Sequence, residues 1–254
     1  MALKKALSTL LRASVIALSV ASAWQAHASV VIAGTRVVYH GGEAEQTLRL
    51  TNNGESPALT QAWLDNGDPT AAPSTIKVPF TVSPPFARID QGKGQTLRIL
   101  YTGEPLPQDK ESVFWLNVLE VPPKPSASEA EANLLQMAFR SRIKMFFRPA
   151  GLKGSAGEAP AQISWRLIQT GEHASLEASN PTPYHVSFAT VKLVGGGKTA
   201  SFDDGAMVGP GQTRDLPLAG AVAQGAATRV IYQAIDDYGG LITGEATPSQ
   251  PHTK

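Results

Sequence analysis

Leu106-Pro107-Gln108-Asp109-Lys110-Glu111-Ser112-Val113-Phe114-Trp115-Leu116-Asn117-Val118-Leu119-Glu120-Val121-Pro122 passes from a polar lead-in to a run, residues 113–121, rich in valine, leucine and aromatics, and stops at a proline. Such a run, bounded by turn-prone residues, reads as a β-strand. The chain on either side repeats the signature. Upstream, residues 30–39 are rich in β-branched side chains, and Leu48 and Leu50 alternate with Thr47, Arg49 and Thr51 before the turn Asn52-Asn53-Gly54. Residues 59–65 form another half-buried run, closed by Asn66-Gly67. Residues 79–89 carry three prolines, which points to an edge strand or to one that switches sheets. After the turn Gln91-Gly92-Lys93-Gly94, Leu97, Ile99 and Tyr101 alternate with Thr96 and Arg98. Downstream, residues 134–147 complete the set. Roughly seven short strands within about 120 residues, separated by turn signals, is the pattern of an immunoglobulin-like β-sandwich.

Residues 128–135 alone read as helix, and equally well as loop. From Pro149-Ala150-Gly151 to Pro160 the chain turns rich in Gly, Ala and Pro, which marks a linker. Beyond it the strand theme resumes, with Ile163, Trp165 and Leu167 alternating, then residues 184–194 and 228–235. A second, smaller sandwich is expected there. The fold class is therefore all-β, with two immunoglobulin-like β-sandwich domains at residues 29–150 and 151–254.

The first 28 residues set the compartment. Lys4, Lys5 and Arg12 precede an apolar run, residues 13–23, too short to span a bilayer, and Ala26-His27-Ala28 has the small-x-small pattern of a signal-peptidase site. A secretory signal peptide cleaved after Ala28 is expected, with a retained membrane anchor as the alternative. No later stretch is long and apolar enough to cross a membrane, so a soluble exported protein is expected. Cleavage leaves 19 basic against 21 acidic residues, a formal net charge of about −2, which gives no reason to expect nucleic acid as a partner. With no cysteine, neither disulfides nor thiolate metal sites can stabilise the chain, and an apolar core must do so.

The motifs of catalysis are missing or broken. Gly195-Gly196-Gly197-Lys198-Thr199 looks like the end of a phosphate-binding loop, but that motif needs a glycine where Lys192 stands, and no helix follows to face the phosphate. A hairpin turn is the better reading. His40, His173, His185 and His252 show no ligand spacing with one another or with a carboxylate, and there is no Gly-x-Ser-x-Gly or His-Glu-x-x-His. Asp203-Asp204-Gly205 and Asp236-Asp237-Tyr238-Gly239 lack the alternating oxygen ligands of a calcium loop and read as turns. No enzyme activity, cofactor or metal is expected.

Residues 106–122 resemble, element for element, the signature of the PapD-like periplasmic pilus (fimbrial) assembly chaperones. The resemblance extends through Gly34-Thr35-Arg36-Val37-Val38-Tyr39, Ser141-Arg142-Ile143-Lys144-Met145-Phe146-Phe147-Arg148-Pro149, Asn180-Pro181-Thr182-Pro183-Tyr184 and Asp237-Tyr238-Gly239, and so covers nearly all the chain after residue 28, more loosely in its second half. It implies two sandwiches set in a boomerang. It also implies a periplasmic, non-enzymatic role: binding, folding and capping pilus subunits whose own sandwich lacks its final strand, and delivering them to an outer-membrane usher. The client would lie in the cleft and along the last strand of the first domain.

Site residues follow from the same motifs. Period-2 alternation puts Leu135, Met137 and Phe139 on one face of an extended strand, with Gln136 and Arg140 on the other. Spacing alone leaves open whether the apolar triplet faces its own core or is offered outward; the family positions imply donation to the client groove. An apolar edge of this kind invites self-association, so a client-free self-dimer is also expected. The resemblance further implies that Arg36 and Lys144 hold the client's C-terminal carboxylate, and that Glu111, Arg148 and Asp237 form a buried ionic network between the domains. The short loop at residues 122–133 resembles that of the class serving rod-forming pili. Two other readings stand beside this one. A pilus subunit or adhesin would usually show a single incomplete sandwich with a cysteine pair; a periplasmic immunoglobulin-like ligand-binding module or enzyme would need a site that the sequence does not display.

Overall fold

A computed structural model describes residues 29–124, 136–170, 173–222 and 227–249. Its first half contains β1 (Val30–Ile32), β2 (Arg36–His40), β3 (Gln46–Asn52), β4 (Ala58–Asp65), β5 (Phe80–Ser83), β6 (Phe86–Ile89), β7 (Gly94–Tyr101), β8 (Ser112–Val121) and β9 (Phe139–Arg148). They form two sheets, ordered β1-β3-β7-β5 and β2-β9-β8-β4-β6. Alternation explains the layering. Leu48, Leu50, Leu97 and Ile99 of one sheet and Leu64, Phe114, Leu116, Met145 and Phe147 of the other are buried between them, while their sequence neighbours face outward. Tyr39, Phe80, Tyr101, Phe114 and Phe147 cluster in this core, Phe80 and Phe114 edge to face at 4.9 Å.

Two stretches cross from sheet to sheet. Residues 30–39 are not one strand: the chain breaks at Gly34, whose φ of 135° side chains other than glycine rarely adopt, so β1 stays against β3 while β2 moves to β9. The proline-rich stretch 79–89 switches sheets as expected, β5 pairing with β7 and β6 with β4. Strand β9 begins at Phe139, later than residue 134; Leu135 and the helix-or-loop stretch 128–135 lie outside the described residues.

The second half holds β10 (Ser164–Thr170), β11 (His173–Ser179), β12 (Val186–Gly195), β13 (Lys198–Phe202), β14 (Ala206–Val208), β15 (Thr213–Gly220), β16 (Thr228–Ile235) and β17 (Leu241–Ala246). Their order is β10-β11-β15-β13-β12-β16-β17, with β14 on β12. β15 links the layers, because residues 213–218 pair with β11 and its last two residues with β13. Ile163, Trp165, Leu167, Leu176, Phe188, Val191, Val230 and Tyr232 fill the core between. Gly196 and Gly197, with φ of 53° and 71°, make the β12–β13 hairpin turn, as their sequence context leads one to expect.

Candidate functional site

β9 is held unequally along its length. On one side β8 pairs with it from Glu120 opposite Phe139 to Ser112 opposite Phe147, leaving out only Arg148. On the other side β2 pairs in parallel only from Lys144 to Arg148, with Arg36 opposite Lys144. Residues 139–143 therefore have one strand neighbour among the described residues, and their second edge offers unpaired backbone groups. Met145 and Phe147 on the inner face are core residues, and Ile143 is partly buried against that core. Toward the strand's start the same face runs past the core: Phe139 is only partly buried and Met137, just before the strand, is 46% exposed. The face that is core at Met145 and Phe147 is thus open at Met137.

The other face of β9 looks to the second domain. Phe146 is buried beneath the Arg36 guanidinium, 5.6 Å from the ring centre, and packs on His185 at 5.5 Å. Lys144 donates to Ser187 Oγ at 3.3 Å and Arg36 Nη1 to the Ile235 carbonyl at 3.0 Å. Arg36 Nε is buried and finds no acceptor among the described residues. Neither cation is hydrogen-bonded to a carboxylate among those residues. Burial, reinforced by repulsion from Arg36 and Arg214, pushes the Lys144 ammonium below its ordinary value. Burial lowers Arg36 too, against the pull of Asp237, Asp236 and Glu111.

Glu111, Arg148 and Asp237 do meet. Arg148 Nε donates to Glu111 Oε1 at 2.7 Å, and its two terminal nitrogens grip Asp237 at 2.7 and 2.8 Å. Glu111, with a side chain 1% exposed, also accepts the backbone N–H of His185 at 2.8 Å and has His185 Nδ1 at 3.2 Å. Burial alone would lower the Arg148 guanidinium; its bond to Asp237 and the charge of Glu111 more than reverse this and raise it. Asp237 ends below the usual carboxylate value, burial pushing it up and Arg148 pulling it down further. Close together thus stand an arginine saturated by carboxylates and, on the same strand and on its neighbour β2, two half-buried cations that are not.

A second polar cluster has no counterpart in the sequence reading. Asp65 is wholly buried and accepts from Arg142, Asn117 and the Gly67 N–H, and Arg140 bonds Asn117. A signal existed in outline: Arg140 and Arg142 alternate on the polar face of β9, but their partners lie on β4 and β8, and pairing register is invisible in one strand's sequence.

Residues 29–153 match the family model described as "Pili and flagellar-assembly chaperone, PapD N-terminal domain", and residues 158–246 match "Pili assembly chaperone PapD, C-terminal domain". The chain is 47% identical over 221 residues to the probable fimbrial chaperone YadV of Escherichia coli (strain K12), covering 86% of this chain and 89% of that protein. It is 45% identical over 225 residues to the chaperone protein FimB/FhaD of Bordetella pertussis, covering 87% and 88%. The crystal structure of the YadV chaperone superposes with a TM-score of 0.74 at 43% identity, covering 87% of this chain and all of that one. The SafB chaperone, solved in complex with the Salmonella enterica SafA pilin, gives a TM-score of 0.71 at 28% identity, covering 88% and 98%. Two sandwiches, matches to both domain models over most of the chain, and 45–47% identity to fimbrial chaperones that cover most of it lead to one statement: this chain belongs to the PapD-like family of pili-assembly chaperones.

Proposed function

We propose that this protein captures pilus subunits in the periplasm by lending them β9, and hands them to an outer-membrane usher. The carrying observation is the coincidence of two features: the edge at residues 139–143, unpaired among the described residues, ends where Arg36 and Lys144 stand side by side, half-buried and with no hydrogen bond to a carboxylate among those residues. A carboxylate leaving water there receives two cationic donors, each such bond contributing about 1.5–3 kcal/mol. Strand addition supplies the affinity through main-chain bonds, and the fixed chain end sets the register, since a one-residue slip would turn the wrong face to the groove. Leu135, Met137 and Phe139 fill the client's groove in this reading, and the client-free protein can pair with itself through the same edge.

The domain limits 29–150 and 151–254, the signal cleaved after Ala28, the absence of catalysis and the short-loop class belong to the same proposal. Residues 1–28 and most of the loop at 122–133 lie outside the described residues. Among the described residues no helix is long and apolar enough to cross a membrane.

The test is copurification from the periplasm with mass identification of the bound proteins, followed by coexpression of the most abundant subunit recovered with Arg36→Ala or Lys144→Ala chaperone. Both variants are expected to fold and to lose the subunit to proteolysis. Normal subunit recovery with both would overturn the anchor.

A further inference from the structure

Residues 139–143 of β9 have no outer strand neighbour among the described residues, and a buried carboxylate, Asp65, lies on the sheet face behind them. Trp63 and Asp65 alternate with the core residues Ala62 and Leu64 of β4, so they stand on the face of the sheet turned away from the core. Trp115 and Asn117 occupy the same face of β8, and Arg140 and Arg142 that of β9; Asp65 is opposite Trp115, Trp63 opposite Asn117 and Asn117 opposite Arg142. Both arginines fold back across β8 instead of projecting over the open edge. Arg142 grips Asp65 with Nη2 on Oδ1 at 2.6 Å and Nε on Oδ2 at 3.0 Å, its guanidinium 4.7 Å from the Trp115 ring centre. Arg140 donates to Asn117 Oδ1 from Nη2 at 2.6 Å and Nε at 2.9 Å, reaches the Pro69 carbonyl at 2.6 Å, and lies 4.9 Å from the Trp63 ring centre.

The two contacts share one origin. Asn117 Nδ2 donates to Asp65 Oδ2 at 2.7 Å, which aims its carbonyl oxygen at Arg140, and the Gly67 N–H donates to Oδ1 at 2.7 Å. Asp65 is therefore fully satisfied and fully buried, and it fixes Arg142 directly and Arg140 through Asn117. The arginine side chains are 31% and 24% exposed while Asp65 is not exposed at all, so their ties are part-buried, charge-assisted bonds anchored on a buried carboxylate.

We infer that Asp65 is a positioning residue for strand donation: through Arg142, Asn117 and Arg140 it keeps the open stretch of β9 extended and holds both guanidinium groups clear of the edge onto which a client adds. The inner face supplies less of this bracing here than farther along the strand, because Phe139, Ser141 and Ile143 are only partly buried while Met145 and Phe147 are core. A strand held by one neighbour frays unless something else fixes it, and a frayed edge must be reordered in each encounter with a client, which slows capture. The inference rests on the reading of β9 as the donated strand.

Two measurements on the intact chaperone test it: hydrogen exchange of the amides of residues 139–143, which needs no client, and the association rate with the subunit recovered in the copurification. In Asp65→Asn, exchange at 139–143 is expected to speed up and association to slow, each by about tenfold or more, while amides of β3 and β7 in the opposite sheet stay protected. Arg140→Gln removes one tie without stranding a buried charge, and is expected to shift the same amides by a smaller factor with no change in melting temperature. Unchanged exchange and association in Asp65→Asn overturn the inference; so does a uniform loss of protection across both sheets. If Asp65→Asn does not accumulate, Arg140→Gln decides, and wild-type behaviour there overturns it. Lys144→Ala and Met137→Glu serve as references: if they too leave capture intact, β9 is not the donated strand and the functional reading itself has failed.

Discussion

At Arg148 three hydrogen bonds to two carboxylates join the end of β9 to the start of β8 and to the second domain. Its side chain is 14% exposed and that of Glu111 1%, so that pair is not a surface pair worth about 0–1 kcal/mol, while Asp237, at 32%, is part-buried. Removing the arginine strands Glu111 and Asp237, and Arg148→Ala is expected to lose about 3–5 kcal/mol of stability in a denaturant titration; a wild-type curve would contradict the bracing role. Asp237 gives the network a pH dependence. Its folded value lies below the ordinary 3.8, so its stabilising contribution is complete above 3.8 and disappears as the pH falls through the lower folded value. Asp237→Asn should therefore be less stable than the wild type near neutrality and converge with it in acid; parallel curves across that range would contradict the assignment. These three residues were legible because family motifs carry them. His185 was not: its partner Glu111 lies 74 residues away, and a search for ligand spacing among histidines does not look for one carboxylate held by a backbone N–H as well.

Among the elements, β9 illustrates how alternation locates a face without locating its surroundings. The period-2 pattern puts Met137, Phe139 and Ile143 on one side, but where the core ends beneath them depends on the opposing sheet, and the start of pairing with β2 depends on the break at Gly34. The sheet switch at residues 79–89 was readable because proline cannot donate to a ladder, whereas residues 30–39 carry no proline and read as one strand. Met137 is nearly half exposed, so a charge there should leave the free chaperone intact. Met137→Glu is expected to keep the wild-type melting temperature and to weaken subunit capture by the worth of a buried methionine, about 1.5–3 kcal/mol, or roughly ten- to hundredfold. Equal capture by the variant, measured by pull-down of the coexpressed subunit, would remove Met137 from the donated segment.

At the scale of the whole molecule, several contacts that join the sandwiches among the described residues involve the loop between β16 and β17 or the strand end before it. Asp236 folds that loop by accepting the N–H groups of Tyr238 and Gly240, which aims Asp237 at Arg148. Gly239 has a φ of 88°, which side chains other than glycine rarely adopt, and a β-carbon there would collide with Thr35 Oγ1. Gly239→Ala is therefore expected to loosen the hinge while both sandwiches stay folded, visible as altered small-angle scattering and reduced capture, with Thr35→Ala restoring part of the loss by removing the hydroxyl. Identical scattering from Gly239→Ala and wild type would mean that the hinge does not depend on this contact. Sequence patterns suffice for two sandwiches and a linker, but the closeness of Gly239 to Thr35 joins residues of different domains and appears only once both have folded. The register of β2 carries a consequence for client design. Because β2 takes up the lane beside β9 from Lys144 onward, a polypeptide laid along residues 139–143 meets an occupied track at Arg36, like a siding closed by a buffer stop. A subunit lengthened by even a Gly-Ser pair at its carboxyl end should jam there, while the same pair inserted in a surface loop should pass unnoticed, so affinity tags on the cargo belong anywhere but its last residue.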